Sequence, residues 1–369
     1  MNEKRRLLDA YRNISDGRPI LSIYSRYLPR GKTERDAREL GLALLDNYPI
    51  VSLIAPPWHL ASGYVSETNG IEFTISYRWA NGNKVEKRTY TTPHGSVWQE
   101  TIADPSFGSD WVQQFYIKRP EDYQIVQYIV ESTVLRLQEA DFQRRVHDMG
   151  ADGVVLARID RSPYQKLLIE LAGPERFLMD LYSTPEVVEP LLDALERKMA
   201  EAFQMVLNTD AELIWQPDNL TAEMAPPKMY EKYHLPFYCK YGSLARAAGK
   251  VYAIHMDGRL RPLATLIDRS PVDVVESFSL PIIGGDLTLA EASALWPDKA
   301  IFPNFPASLS KASRRKIGEF LEELCEHIPS SQPCVLQFSE DIPYEDWQHI
   351  VLAVSEFFAS GQKTQRVAI

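Results

Sequence analysis

The apolar positions of this chain change their period along its length. Residues 3–13 and 33–46 carry apolar side chains at helical spacing, the second stretch with Thr33 placed as an N-cap. Tyr48 to Ala55 is an apolar run closed by Pro56-Pro57 and predicts a first strand. Residues 71–79 and 84–91 then alternate apolar and polar around Asn81-Gly82, which is the pattern of a hairpin. Thr92-Pro93-His94-Gly95 ends the second arm, and the expectation is an antiparallel flap covering one face of the main domain.

From residue 119 the rhythm becomes helix, strand, helix, strand. Helices are predicted at 120–131, 133–149, 185–207, 227–248, 259–268, 287–295, 310–327 and 343–359. Strands are predicted between them at 153–159, 212–215, 251–255, 272–277, 300–304 and 334–338. Strands alternating with crossover helices imply a parallel sheet. So many units in one chain favour an α/β fold closed as a (β/α)8 TIM barrel, with N-terminal helices and the β-hairpin flap added. No glycine-rich phosphate motif follows a strand, which counts against an open nucleotide-binding sheet. The expected organisation is one domain over residues 1–369. Residues 1–118 supply the N-terminal helices, first strand and hairpin, and 119–369 the main βα repeats.

Composition narrows the partners. A chain of 369 residues that is 45% hydrophobic can bury a barrel-sized core. A net charge of -10 over a mixed-sign surface argues against nucleic acid or an acidic membrane as the main partner. Cys239, Cys325 and Cys334 form no CxxC and no disulfide framework, which favours a reducing, cytoplasmic setting. The basic N-terminus lacks the apolar core of a signal peptide, and no 18-residue apolar run is present to span a membrane.

Chemistry gathers where a barrel predicts it, at the C-terminal strand ends. Val251-Tyr252-Ala253-Ile254 runs into His255-Met256-Asp257-Gly258; a histidine and aspartate two apart project the same way if the strand continues. The other strand ends offer Asp160, Arg161, Asp218, Asn219, Glu276, Asn304, Glu340 and Asp341. Asp160, Asp341 and Asn304 read first as caps or turn residues. Glu276 lies inside the apolar run Val272–Phe278, where a lone carboxylate is costly, and Glu340 ends Cys334–Ser339 in the same manner. One imidazole with two or three carboxylates makes a divalent metal site; the plainer alternative is a buried His–Glu pair without metal. His234 and His349 read as surface or packing residues. His59 and His94, in the flap region, are candidates to face substrate, and Cys334 reads as core.

The segments YAIHMDGRLRPLATLI, DVVESFSLPIIGGDLTLAEA, IFPNFPASL and CVLQFSEDIP, with PDNLTAEMAPPKMYEKYHLPFY upstream, resemble the uroporphyrinogen decarboxylase superfamily, within it the corrinoid-linked methyltransferase branch. The resemblance spans about residues 150–360 and implies a (β/α)8 barrel. Porphyrinogen decarboxylases carry an N-terminal arginine-rich segment that holds substrate carboxylates; SRYLPRGKTERDARELG lacks that pattern. The thiol-methylating members bind zinc through His-x-Cys and a later Cys, and the matching positions here are His255, Asp257 and Glu340. Carboxylates in place of thiolates harden the site and suit an oxygen-bearing substrate.

The resemblance therefore implies an enzyme that takes a methyl group from a methoxylated, aromatic compound and passes it to the cobalt of a separate corrinoid protein. No Asp-x-His-x-x-Gly cobalamin-binding sequence is present to hold the corrinoid on this chain. Zinc or a similar ion would sit on His255, Glu276 and Glu340, with Asp257 as a catalytic fourth ligand or orienter. Asp218 would act beside it, and Asn219, Arg161, His94 and Asn304 would contact substrate. The rival reading is a metal-free decarboxylase or lyase using Asp218 and Arg161. A homodimer is left open.

Overall fold

The structure is a computed structural model and describes residues 2–54, 64–68, 70–103, 110–328, 332–342 and 345–366. In chain order the strands are β1 (Ile20–Tyr24), β2 (Leu42–Pro49), β3 (Tyr64–Thr68), β4 (Glu72–Ala80), β5 (Asn83–Thr92), β6 (Gly95–Ala103), β7 (Asp110–Gln114) and β8 (Thr133–Leu137). They continue with β9 (Gly153–Arg158), β10 (Leu213–Gln216), β11 (Val251–His255), β12 (Val274–Phe278), β13 (Ala300–Pro303) and β14 (Val335–Phe338). Eight of them form one parallel sheet in the order β13-β12-β11-β10-β9-β2-β1-β14. A bridge between Asn304 and Gln337 joins its two ends, and the Phe305 amide donates to the Gln337 carbonyl at 2.7 Å. The fold is a (β/α)8 barrel.

Alternation decides what each strand turns inward. Ile20 and Tyr24, Ala43 and Leu45, Val154 and Leu156, Leu213 and Trp215, and Val251 and Ala253 share one buried cluster inside the barrel. Leu7, Leu8, Ala10 and Tyr11 of the helix Glu3–Tyr11 belong to the same cluster, and Tyr11 meets Phe302 edge-on with ring centroids 4.8 Å apart. That helix plugs the barrel. The opposite strand faces, among them Leu44, Val155, Ala157, Ile214, Ile254 and Val275, pack against the surrounding helices in a second, larger cluster. Gly153 is required where β9 meets β2: a Cβ there would lie 1.9 Å from the Leu44 carbonyl oxygen.

The structure moves several predicted elements. The strand expected from Tyr48 lies earlier, because the helix begun at Lys32 stops at Glu39 and Gly41 (φ 101°) turns the chain into β2. Residues 55–63, including His59 and Pro56-Pro57, lie outside the described residues. The helix expected over 133–149 begins only at Glu139, and Thr133–Leu137 pairs antiparallel with β3 instead. The hairpin is present: Asn81 and Gly82 both take positive φ (51° and 79°), as a type I′ turn needs. It continues into a four-stranded antiparallel sheet, β4-β5-β6-β7. Tyr90 and Val97 of that sheet enter the main core, and Gln99 donates to the Glu170 carbonyl at 2.8 Å, so the flap is anchored rather than loose.

His234 is a packing residue. It is fully buried, stacked on Tyr230 and set edge-on to Tyr164. Burial pulls its pKa down from 6.5 to about 3. The folded protein keeps this ring neutral while the unfolded chain protonates it, so its contribution to stability is intact above 6.5 and lost as pH falls toward 3. The loss is roughly 2 kcal/mol between pH 6.5 and 5, at about 1.4 kcal/mol per unit. His234→Phe is expected to flatten the difference in urea midpoint between pH 7.5 and 5. An unchanged difference would mean the ring titrates normally. His349 is exposed and bonds the Ala312 carbonyl at 3.0 Å. Among the described residues, no helix is long and apolar enough to cross a membrane.

Candidate active site

β11 ends with His255 turned inward, one position above Ala253 on the barrel-facing side. Beside it, β12 carries a bulge: its register with β13 shifts between Val275 and Phe278, and Ser277 takes φ 58°. A bulge re-aims the side chains next to it. Here it accompanies a Glu276 side chain set deep in the barrel, 0% exposed. Ser277 is held by its hydroxyl against Ser339 at 2.7 Å and by its amide on Gln337 at 3.3 Å.

Glu276 is fully engaged. The Tyr24 hydroxyl donates to Oε1, while Trp215 Nε1 (3.0 Å) and His255 Nδ1 (2.7 Å) both meet Oε2. The imidazole is thereby locked by Nδ1, and its Nε2 faces Asp257 Oδ2 at 3.4 Å. Burial alone would lower the pKa of His255; the Glu276 charge and the hydrogen bonds to Asp257 and Glu276 overcome it and raise it to about 9. Burial pushes Asp257 up, but His255 and the Asn219 amide bring it below its usual value. Glu340 is raised, chiefly by burial and then by the nearby Asp257 charge, against the pull of His255 and Asn304. Gly258 completes the motif because a Cβ there would lie 2.2 Å from the Cβ of Thr221.

The other expected site residues are held by neighbours. Asp218, expected to be catalytic, is fully buried and accepts from the Ser162 amide (2.8 Å), Gln216 Nε2 (3.2 Å) and the Tyr238 hydroxyl (2.5 Å). It ties the loop after β9 to the loop after β10. Arg161, expected on substrate, instead binds Glu170 (2.8 Å), Asn219 Oδ1 (2.7 Å) and the Pro217 carbonyl. Asn219, in left-handed backbone (φ 48°), passes that restraint on through Nδ2 to Asp257 Oδ2 at 2.7 Å. Asn304 accepts from the Ser339 hydroxyl at 2.9 Å. His94 is exposed on the flap, edge-on to Tyr128 at 4.7 Å, and shares no hydrogen bond with the His255 cluster among the described residues.

Asp160 proves to be more than a cap: it and Glu170 enclose the buried ammonium of Lys166, at 3.1 and 2.5 Å. Three residues around the site were missed in the sequence. Tyr24 lies on an unread strand, Trp215 ended a predicted strand without being singled out, and Lys166 lies in a stretch for which no element was predicted. Arg158 left a visible signal, a charge inside the apolar run Gly153–Ile159.

The metal suggested by the family resemblance can be tested against these positions. Among the described residues no three His, Cys, Asp or Glu side chains stand together as a ready ligand shell. Two donors are in place, His255 Nε2 and Asp257 Oδ2, with Glu340 close enough to feel both charges. The Glu276 contact on Nδ1 is the support that metal-bound imidazoles have. The donor chemistry thus fits a hard divalent ion on the Nε2 side. Glu276, expected as a ligand, meets His255 on Nδ1, the side of the ring away from Asp257.

Comparison with known proteins bears on the fold. Residues 166–344 match the family model described as uroporphyrinogen decarboxylase (URO-D). That match covers just under half of the chain. Among solved structures, a methyltransferase from Methanosarcina mazei superposes with a TM-score of 0.56 at 13% sequence identity, covering 97% of this chain and 99% of that one. That likeness is one of fold. An L-talarate/galactarate dehydratase mutant aligns at a TM-score of 0.20 and 10% identity, over 79% of this chain and 86% of that one, and carries no argument. No curated protein matches the sequence.

Proposed function

We propose that this protein is a methyltransferase that moves a methyl group from a methoxylated, aromatic substrate to the cobalt of a separate corrinoid protein. The observation that carries the reading is the His255 imidazole, pinned by a fully buried Glu276 on Nδ1 and presenting Nε2 beside Asp257 at the C-terminal face of the barrel. In this reading His255 Nε2, Asp257 and Glu340 hold a zinc or similar divalent ion. The ion would supply Lewis acidity that makes an aryl oxide a better leaving group, an effect worth several kcal/mol.

The chain's own residues do the rest. Glu276, steadied by Tyr24 and Trp215, sets the orientation of His255. Asn219, steadied by Arg161, sets Asp257. In the transfer the O–CH3 bond breaks, its electron pair leaves with the aryl oxygen, and the cobalt(I) of the partner supplies the pair that forms the new bond to carbon. The rival decarboxylase reading needs Asp218 and Arg161 free for substrate, and both are consumed by hydrogen bonds to the protein.

Purified protein is expected to bind about one divalent ion per chain. His255→Ala should lose it while remaining folded. Glu340→Gln should weaken it, since a neutral amide oxygen offers the ion less charge. Metal content and methyl transfer from a methoxylated aromatic to a reduced corrinoid partner are to be measured on the same samples. Full metal and activity in Glu340→Gln would remove Glu340 from the site, and equal metal in His255→Ala would reject the ligand set.

A further inference from the structure

Above the ring of inward-facing residues stands a charge that no ion pair or hydrogen bond of the described residues takes up. Arg158 ends β9, two positions beyond the barrel-facing Leu156, and therefore points into the barrel mouth. Its guanidinium lies 5.9 Å from the centre of the Trp215 ring. Trp215 in turn borders His255, with ring centroids 5.8 Å apart, and donates to Glu276. Among the described residues no carboxylate pairs with Arg158 and no acceptor takes its hydrogen bonds, although the neighbouring Arg161 has three. Burial lowers its pKa and the charges of Arg161 and Arg26 add to that, while the carboxylates of Glu170 and Asp160 pull the other way. Arg26, just past the end of β1, lies 5.6 Å over Tyr24, and its guanidinium bonds the Tyr27 hydroxyl at 2.5 Å.

The mouth therefore has two halves. His255, Asp257, Glu276 and Glu340 make one side rich in carboxylate. Arg158, with Arg26 contributing its field, makes the other side cationic, and the two are separated by the indole of Trp215. Arg158 is half-buried at this mouth, so its unused donors remain open to an anion that enters. Its planar fork matches a carboxylate, which it can hold by two parallel bonds.

We propose that Arg158 anchors a carboxylate on the substrate, so that the molecule taken by the His255 site is an aromatic acid whose methoxy group lies at the end remote from that carboxylate. The proposal rests on the methyl-transfer reading for the methoxy group alone; the anchor is testable without it.

The test is direct binding to the full-length protein by calorimetry, with benzoate, 4-methoxybenzoate and neutral methoxybenzene as probes. Both acids are expected to bind wild type, and Arg158→Met should bind them about tenfold to a hundredfold more weakly, the range lost with one charge-assisted contact. Arg158→Lys should recover part of the loss, and methoxybenzene should not distinguish the variants. Thermal unfolding of Arg158→Met should be unchanged or raised, because an unpaired charge is removed; a residue holding the fold together would give the reverse and overturn the proposal. Equal affinity of the acids for wild type and Arg158→Met, or no saturable binding of benzoate, overturns it too. Benzoate binding without methyl transfer would sink the activity and leave the anchor. Transfer from methoxybenzene without benzoate binding would do the opposite.

Discussion

Glu276→Gln is expected to destabilise the protein by about 3–5 kcal/mol, the range for breaking a buried, hydrogen-bonded charge. Glu276 is wholly buried and receives three donors, from Tyr24, Trp215 and His255. Glutamine keeps the shape but turns one acceptor oxygen into a donor that faces other donors. At least one of the three then loses its acceptor inside the barrel. Because Trp215 is among them, unfolding by urea followed by tryptophan fluorescence reads both the midpoint and the indole's changed surroundings. Metal binding should fall with it, since the His255 ring loses the carboxylate that aims it. A shift below about 1 kcal/mol, the net worth of an ordinary hydrogen bond, would show that the Glu276 contacts do not act as a buried charged network.

Lys166→Met should cost a similar amount by a different route. Asp160 and Glu170 both lean on this one ammonium, and Asp160 also takes the Leu53 amide at 2.6 Å. Methionine fills the space of the side chain but leaves the buried Asp160 without its cation, facing a Glu170 that keeps only Arg161. Removing one member of a buried charged group costs about 3–5 kcal/mol, whereas replacing the whole group by neutral residues costs less. The triple variant Lys166→Met, Asp160→Asn, Glu170→Gln should therefore be more stable than Lys166→Met alone. Chemical denaturation of both, side by side, decides it: a triple variant no better than the single one would show that the charges are not what couples these residues.

The centre of the site was legible in the sequence for definite reasons. β11 lies where its apolar run placed it, at Val251–His255, and Glu276 announced itself as a carboxylate inside an apolar strand. What could not be read were contacts made across the barrel. Tyr24 reaches Glu276 over 252 positions of chain, and its strand, Ile20–Tyr24, is five residues interrupted by Ser22. Local periodicity carries no trace of such a partner. The same holds for Asp218 and Arg161. Their residue types suggested chemistry, yet only the loops brought beside them show that their hydrogen-bonding capacity is already used. The flap shows the opposite limit: Asn81-Gly82 revealed its first turn, while β6 and β7 extend the sheet through pairings beyond it.

The seam between β1 and β14 has a consequence for how the protein is made. Ile20 pairs with Val335 and Ile23 with Phe338, so one of the earliest strands waits for one of the last. During synthesis the ring of strands stays open until the ribosome has passed Phe338, and the nascent sheet meanwhile exposes the free edge of β1. Pairings this distant in sequence are slow to form, because a long loop must close before the contact stabilises anything. Nascent chains truncated before β14 should therefore depend on chaperones that shield that edge until the barrel can close.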